Sequence, residues 1–156
     1  MKTSQKGIDF IKSYEACELS PYICPAGKAT IGWGNTFYED GTKVRITDTP
    51  ISQSRADRLF DSIIIKFEIS VSKLVVNKFL SQNQCDAVIS FAYNCGVANL
   101  KASTLLKKIN KFKDDSTIPN EFKKWVNSNG KPLNGLIDRR KKEADIYSKN
   151  IYVNHI

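Results

Sequence analysis

The sequence changes character at Pro50, and that change restricts the fold more than any other feature. Before it, residues 19–46 are cut at short intervals by turn formers, at Pro25-Ala26-Gly27 and again at Glu39-Asp40-Gly41, which leaves room only for short strands. After it, apolar residues recur at helical spacing. Ser52 is placed to cap a long helix on which Leu59, Ile63, Phe67, Val71 and Leu74 form one apolar stripe. A helix of that length ties two parts of a molecule together. The pattern predicts an α+β, mostly α chain: a small β-hairpin lobe and a helical lobe joined by a long helix.

The other elements follow from local signals. Ser4, or Thr3, caps a first helix with apolar contacts from Ile8, Phe10, Ile11 and Tyr14, and that helix delivers Glu15 at or just past its carboxy end. The helix dipole and the apolar neighbours both disfavour an ionised carboxylate there, so a raised pKa is expected. Ser81-Gln-Asn-Gln84 is a capping box opening the most apolar helix, over 85–93, the expected centre of the helical lobe. Asn94-Cys-Gly-Val97 ends it, and Ser103 or Thr104 caps a short helix over 105–109. Thr117-Ile-Pro119 opens a helix running through Trp125, residues 127–132 read as a loop, and Asn134 caps a last helix over 136–147. No repeat, low-complexity tract or flexible linker interrupts the chain, so residues 1–156 are expected to form a single domain.

Composition narrows the function classes. With 156 residues, 41% hydrophobic and 26% charged, the chain is long enough to bury a core without staples. The densest apolar run, Ile63-Ile64-Ile65, is broken by Lys66 and Glu68, and the first residues lack the apolar core of a signal peptide. Synthesis in a cytoplasm and no stable membrane insertion are therefore expected. In that compartment Cys17, Cys24, Cys85 and Cys95 are expected as free thiols. Their spacings do not suit zinc, and the single histidine, His155, lies at a frayed end, so no metal is expected and a Cys–His protease lacks its base. The net charge of +8 fits either a solubilising surface or an anionic partner, nucleic acid or a bacterial envelope. Lys and Arg are scattered from Lys2 to Lys149 rather than gathered on one recognition helix, which argues against nucleic acid.

One stretch gathers chemistry. Glu15, the thiol of Cys24 and the hydroxyl of Thr30 are brought to one side of a helix–hairpin corner, and Gly32 and Gly34 let backbone pass close by. Taken singly, each has an ordinary explanation: a surface Glu, a small buried Cys, a β-forming Thr. Their joint spacing of eight and five intervening residues resembles the signature of the phage-type lysozymes of glycoside hydrolase family 24: Glu, eight residues, Asp or Cys, five residues, Thr. Thr30-Ile-Gly-Trp-Gly-Asn-Thr36 resembles that family's segment Thr-Ile-Gly-x-Gly-His-Thr. The blocks 82–96, 103–110 and 135–143 match its later segments in order, so the resemblance spans nearly the whole chain. Asn35 stands where the family usually has His, and Ala16 where Gly usually follows the acid.

The resemblance implies a lysozyme-like fold and an endolysin-like muramidase. Its partner would be bacterial peptidoglycan, cut at the β-1,4 bond between N-acetylmuramic acid and N-acetylglucosamine. It implies no cofactor, a monomer, and access to the wall after a holin-type lesion or another export route. By the same resemblance Glu15 is the general acid, Cys24 the base or nucleophile in place of Asp, and Thr30 helps hold the water. Thr36, Tyr93, Asn94, Ser103 or Thr104, and Asn120 match positions lining the sugar cleft. Tyr93 serves equally well as a core aromatic at the end of its helix. Glu18 is the local control, a carboxylate expected only at the surface. Arg139 or Arg140 can pair with Glu143 or reach Glu15. A non-catalytic wall-binding relative is the first alternative, opposed by the intact Glu15, and a basic nucleic-acid binder the second.

Overall fold

A computed structural model describes residues 1–24, 26–77, 79–128 and 130–155; Pro25 of the expected hairpin turn and Asn129 of the expected loop lie outside them. Ser4 starts α1 (Gln5–Lys12), its hydroxyl accepting the Gly7 amide at 3.1 Å. α1 crosses the central helix at Gly7. A Cβ there would lie 2.7 Å from Asp86 Cγ and 2.8 Å from Thr3 Cγ2, so only glycine fits. Asp86 is itself buried and accepts the Ser4 amide at 2.9 Å and the Tyr152 hydroxyl at 2.7 Å, joining the two ends of the chain.

β1 (Glu18–Ile23) and β2 (Ala29–Gly32) form an antiparallel hairpin with Tyr22 opposite Thr30 and Ile23 opposite Ala29. The expected further strands before residue 46 are reduced to isolated bridges, Ile31 to Asn35 and Phe37 to Lys43. Gly32, at φ 62°, explains part of this: its left-handed backbone folds the chain straight back, and Ile31 and Asn35 exchange amide–carbonyl bonds at 2.9 Å.

α2 (Gln53–Leu74) is capped by Ser52, whose hydroxyl accepts the Arg55 amide at 3.2 Å. Its buried face is rotated from the expected stripe. Leu59 and Val71 are buried as expected, but Phe60 and Ile64 fill the interior while Ile63, Phe67 and Leu74 are only partly covered. The reason is that α2 serves two cores at once. Ala56 and Leu59 pack with Ile31, Val44 and Ile51 under the hairpin, whereas Phe60, Ile64 and Val71 enter the larger helical core. A single stripe cannot point at both.

α3 (Gln82–Cys95) opens with the capping box at Ser81, and every residue from Gln84 to Ala92 is buried. Around it pack α4 (Val97–Ala102), α5 (Thr104–Lys111), α6 (Ile118–Phe122) and α7 (Asn134–Lys149). α4 is unexpected: Asn94 to Val97 ends one helix and starts another rather than a loop. α6 is shorter than the expected helix, with Trp125 in the turn beyond it. Within the expected loop, β3 (Asn127–Ser128) pairs antiparallel with β4 (Lys131–Pro132). Asn134 is the first residue of α7 and makes no capping hydrogen bond; the Leu133 carbonyl accepts the Ile137 amide at 3.0 Å and so begins the helix one residue earlier. No described helix is long and apolar enough to cross a membrane.

Candidate active site

α1 stops at Lys12, and a tight turn held by the Tyr14 amide to the Ile11 carbonyl (3.1 Å) and the Glu15 amide to the Lys12 carbonyl (3.0 Å) aims Glu15 toward the junction of the two lobes. Its side chain keeps 27% of its surface. Arg139 Nη1 on α7 reaches Glu15 Oε1 at 3.0 Å, and that guanidinium is only 3% exposed. Behind it Glu143, wholly buried, lies 3.4 Å from Arg139 Nε and 2.7 Å from Arg140 Nε, and accepts the Ser90 hydroxyl at 2.6 Å. Both readings of Arg139 are therefore true together, while Arg140 is turned inward to Glu143 and the Cys95 sulfur. Burial pushes the Glu15 carboxyl above the usual carboxylate range, and the nearby Arg139 guanidinium opposes that rise without cancelling it.

Cys24 lies at the tip of the hairpin, its amide bonded to the Lys28 carbonyl at 3.0 Å. Hydrogen bonding from the Lys28 backbone, and then from the Thr30 hydroxyl, holds this thiol below its ordinary range. Cys17, Cys85 and Cys95 go the opposite way, raised by burial, so one thiol in four is tuned toward the thiolate. Thr30 is 2% exposed, with its hydroxyl donating to the Lys28 carbonyl at 3.0 Å, so its single proton serves either that carbonyl or the Cys24 sulfur at one time. The expected trio thus divides into a thiol–hydroxyl pair and a carboxyl–guanidinium pair.

Tyr22 stands opposite Thr30 across the hairpin, and its phenol is raised by burial and then by the charges of Cys24, Glu18 and Glu15. Sequence reasoning passed over Tyr22, although alternation along a strand puts it on the same face as Cys24 two residues later. Tyr93 on α3 also feels Glu15, but its ring packs against Phe60 at 5.9 Å and Phe67 at 5.2 Å, and its hydroxyl donates to the Trp33 carbonyl at 3.3 Å. Trp33 completes the junction: its Nε1 donates to Asp57 at 2.9 Å, and Lys12 lies 5.0 Å from its ring centre and 2.7 Å from the same carboxylate.

The remaining expected positions are spread around this corner. Asn94, exposed, lines an open depression of about 480 Å³ with Trp125, Asn127, Ser128 and Leu133. Thr36, half-buried, lines another of about 330 Å³ with Lys28, Phe37 and Lys43. Asn120 and Thr104 are exposed on α6 and at the start of α5. Ser103 is buried; its hydroxyl donates to the Leu100 carbonyl at 2.7 Å and accepts the Leu106 amide at 3.0 Å, so it is engaged as the α5 cap. Asn35 is also buried, its amide donating to the Leu59 carbonyl at 3.0 Å and fixing the hairpin to α2. Glu18 is exposed, as expected. The described residues contain no cluster of side chains suited to a metal ion.

Comparison with known proteins finds relatives of the whole chain. A family model described as phage lysozyme matches residues 12–143. The chain is 38% identical over 157 residues to an endolysin of Bacillus phage B103, covering 97% of this chain and 57% of that protein. It is 36% identical over 151 residues to an endolysin of Acyrthosiphon pisum secondary endosymbiont phage 1, covering 94% of this chain and 98% of that one. Among solved structures, the endolysin of Escherichia coli O157:H7 phage FAHEc1 superposes with a TM-score of 0.85 at 32% identity, over 99% of this chain and 98% of that one. A variant of P22 lysozyme gives 0.83 at 29% identity, over 94% and 98%.

Proposed function

Because this chain belongs to the phage lysozyme family, we propose that it is a muramidase hydrolysing the β-1,4 bond between N-acetylmuramic acid and N-acetylglucosamine in bacterial peptidoglycan. The observation that carries the reading is a carboxyl just past the end of α1, Glu15, only 27% exposed and held by the buried Arg139 guanidinium at 3.0 Å, with burial raising it above the usual carboxylate range, on a chain whose residues 12–143 match the family. Glycoside hydrolysis needs a proton given to the leaving oxygen, and a second group that activates water or attacks the sugar. Glu15, partly desolvated, holds its proton to higher pH and delivers it. Cys24 as thiolate is the second group, with Thr30 fixing it and the attacking water. Tyr93, Thr36, Asn94, Thr104 and Asn120 are the surfaces on which the glycan strand would lie, the two amides suited to N-acetyl groups. The excess positive charge favours adsorption to an anionic wall and weakens with salt. In this reading residues 1–156 act as one catalytic domain, monomeric, without cofactor or nucleic acid, reaching the wall through a membrane lesion or another export route.

The test is clearing of purified peptidoglycan by the parent and by Glu15→Gln. The amide fills the same space and keeps a hydrogen bond to Arg139, but it has no proton to donate. Clearing should fall by at least ~100-fold, with the thermal transition retained. Glu15→Gln clearing walls at a tenth or more of the parent rate would remove Glu15 as the acid.

A further inference from the structure

Two consecutive residues of the turn after α1 hold two consecutive residues of α7. Glu15 meets Arg139 at 3.0 Å, and immediately before it the Tyr14 hydroxyl donates to Asp138 Oδ2 at 2.7 Å. Neighbouring Cα atoms are fixed about 3.8 Å apart. Seating residue 14 on residue 138 therefore sets where residue 15 falls along α7. We propose that Tyr14 is a positioning residue for the reaction, its hydrogen bond to Asp138 registering the Glu15 carboxyl against Arg139. This rests on the reading of Glu15 as general acid.

The surroundings of Tyr14 support a fixed ring rather than a loose surface phenol. Phe10 meets it edge-on at 5.3 Å, and the Arg139 guanidinium lies 4.9 Å from its centre. His155 stacks on it at 4.7 Å and an interplanar angle of 12°, while the His155 amide donates to Ser13 Oγ at 2.9 Å. The segment at His155, expected to fray, is instead strapped across the turn that carries the acid. The same Asp138 oxygen, Oδ2, is reached by Lys142 at 3.0 Å, with His155 Nδ1 at 3.5 Å. Burial and the Asp138 carboxylate raise the Tyr14 phenol, so it remains a donor throughout the neutral range. Hydrogen bonds from Tyr14 and Lys142 overcome burial and hold Asp138 below its usual range, so it remains an acceptor.

Tyr14→Phe removes one oxygen and leaves the ring contacts. Loss of register is expected to lower kcat roughly tenfold while KM stays within about twofold, since the sugar-binding surfaces are untouched. Among the described residues Arg139 opposes the rise of the Glu15 pKa; Tyr93 on α3 and Tyr22 on β1 also feel the charge of that carboxyl and are unchanged in the variant. The basic limb of the pH–rate profile should therefore move to higher pH, which a plain loss of stability would not cause. Asp138→Asn keeps an acceptor and should stay within about twofold of the parent, whereas Asp138→Ala should match Tyr14→Phe. Titration of the Glu15 side-chain carbon by NMR reads the same register without any catalysis, and its midpoint should rise in Tyr14→Phe. If the parent fails to clear walls yet that midpoint moves, the muramidase reading fails and the register stands. An unmoved midpoint, or activity lost only in proportion to unfolded protein, overturns the proposal.

Discussion

Arg139→Met is the perturbation that the structure resolves most sharply, because it deletes a buried charge while keeping the length of the stem. The guanidinium, 3% exposed, bridges Glu15 and Glu143. Removing one member of a buried ion pair commonly costs about 3–5 kcal/mol, chiefly through the partner left uncompensated. Two facts reduce that here. Glu143 keeps Arg140 and Ser90, and Glu15 still shows 27% of its surface to water. The expected loss at neutral pH is therefore about 2–3 kcal/mol. For a chain of this size that lowers the melting temperature by roughly 4–12 °C. Part of the loss depends on pH, and its sign follows from linkage. The Glu15 carboxyl already binds its proton more tightly in the folded protein than its ordinary value, so its ionisation works against the fold as pH rises. Arg139 offsets that cost only where Glu15 is ionised. The deficit of Arg139→Met should be larger at pH 7 than near pH 4, about where an unfolded Glu titrates. Melting followed by circular dichroism at the two pH values is the assay. Equal deficits at both, or a shift under about 2 °C at pH 7, would refute the coupling of Arg139 to Glu15.

Cys24 and α2 give further tests. Alkylation of Cys24 should abolish clearing of peptidoglycan and Cys24→Ser should lose most of it, whereas Cys24→Asp should stay active and extend activity to lower pH, since an ordinary Asp titrates about 4–5 units below a thiol; a parent-like Cys24→Ser, or alkylation that inactivates a variant lacking Cys24 equally well, would count against the thiol. Phe60→Ala, at 0% exposure, should cost about 3–5 kcal/mol in denaturant unfolding, and Phe67→Ala distinctly less; the reverse order would mean that the buried face of α2 is misassigned.

The features legible in the sequence are those encoded within a few residues. Ser4, Ser52 and Ser81 announce helix starts because a cap and the amides it satisfies lie within one turn. The Glu15, Cys24 and Thr30 spacing is legible because a single helix end and hairpin carry all three. Where a local signal had two solutions, packing chose. Asn134 has the chemistry of a cap, yet it is the first residue of α7 and Leu133 holds the cap position. The stripe on α2 was read as one face, but a helix shared by two cores must present two. Tyr22 was hidden because nothing near it in sequence says that its strand faces the end of α1.

Partners far apart in the chain were beyond local reading altogether. Asp138 and Arg139 meet Tyr14 and Glu15 across 124 residues, and the segment at His155 folds back onto Ser13. Sequence left Arg139 and Arg140 equivalent. Successive helix residues point about 100° apart, so only the angle at which α7 settles decides which guanidinium reaches the acid and which stays inside. The sequence by itself put an acid, a thiol and a hydroxyl on one helix end and the hairpin that follows it; the docking of α7 against α1 and α3 determined which arginine tunes the acid, because that choice depends on long-range packing and not on any neighbour in the chain.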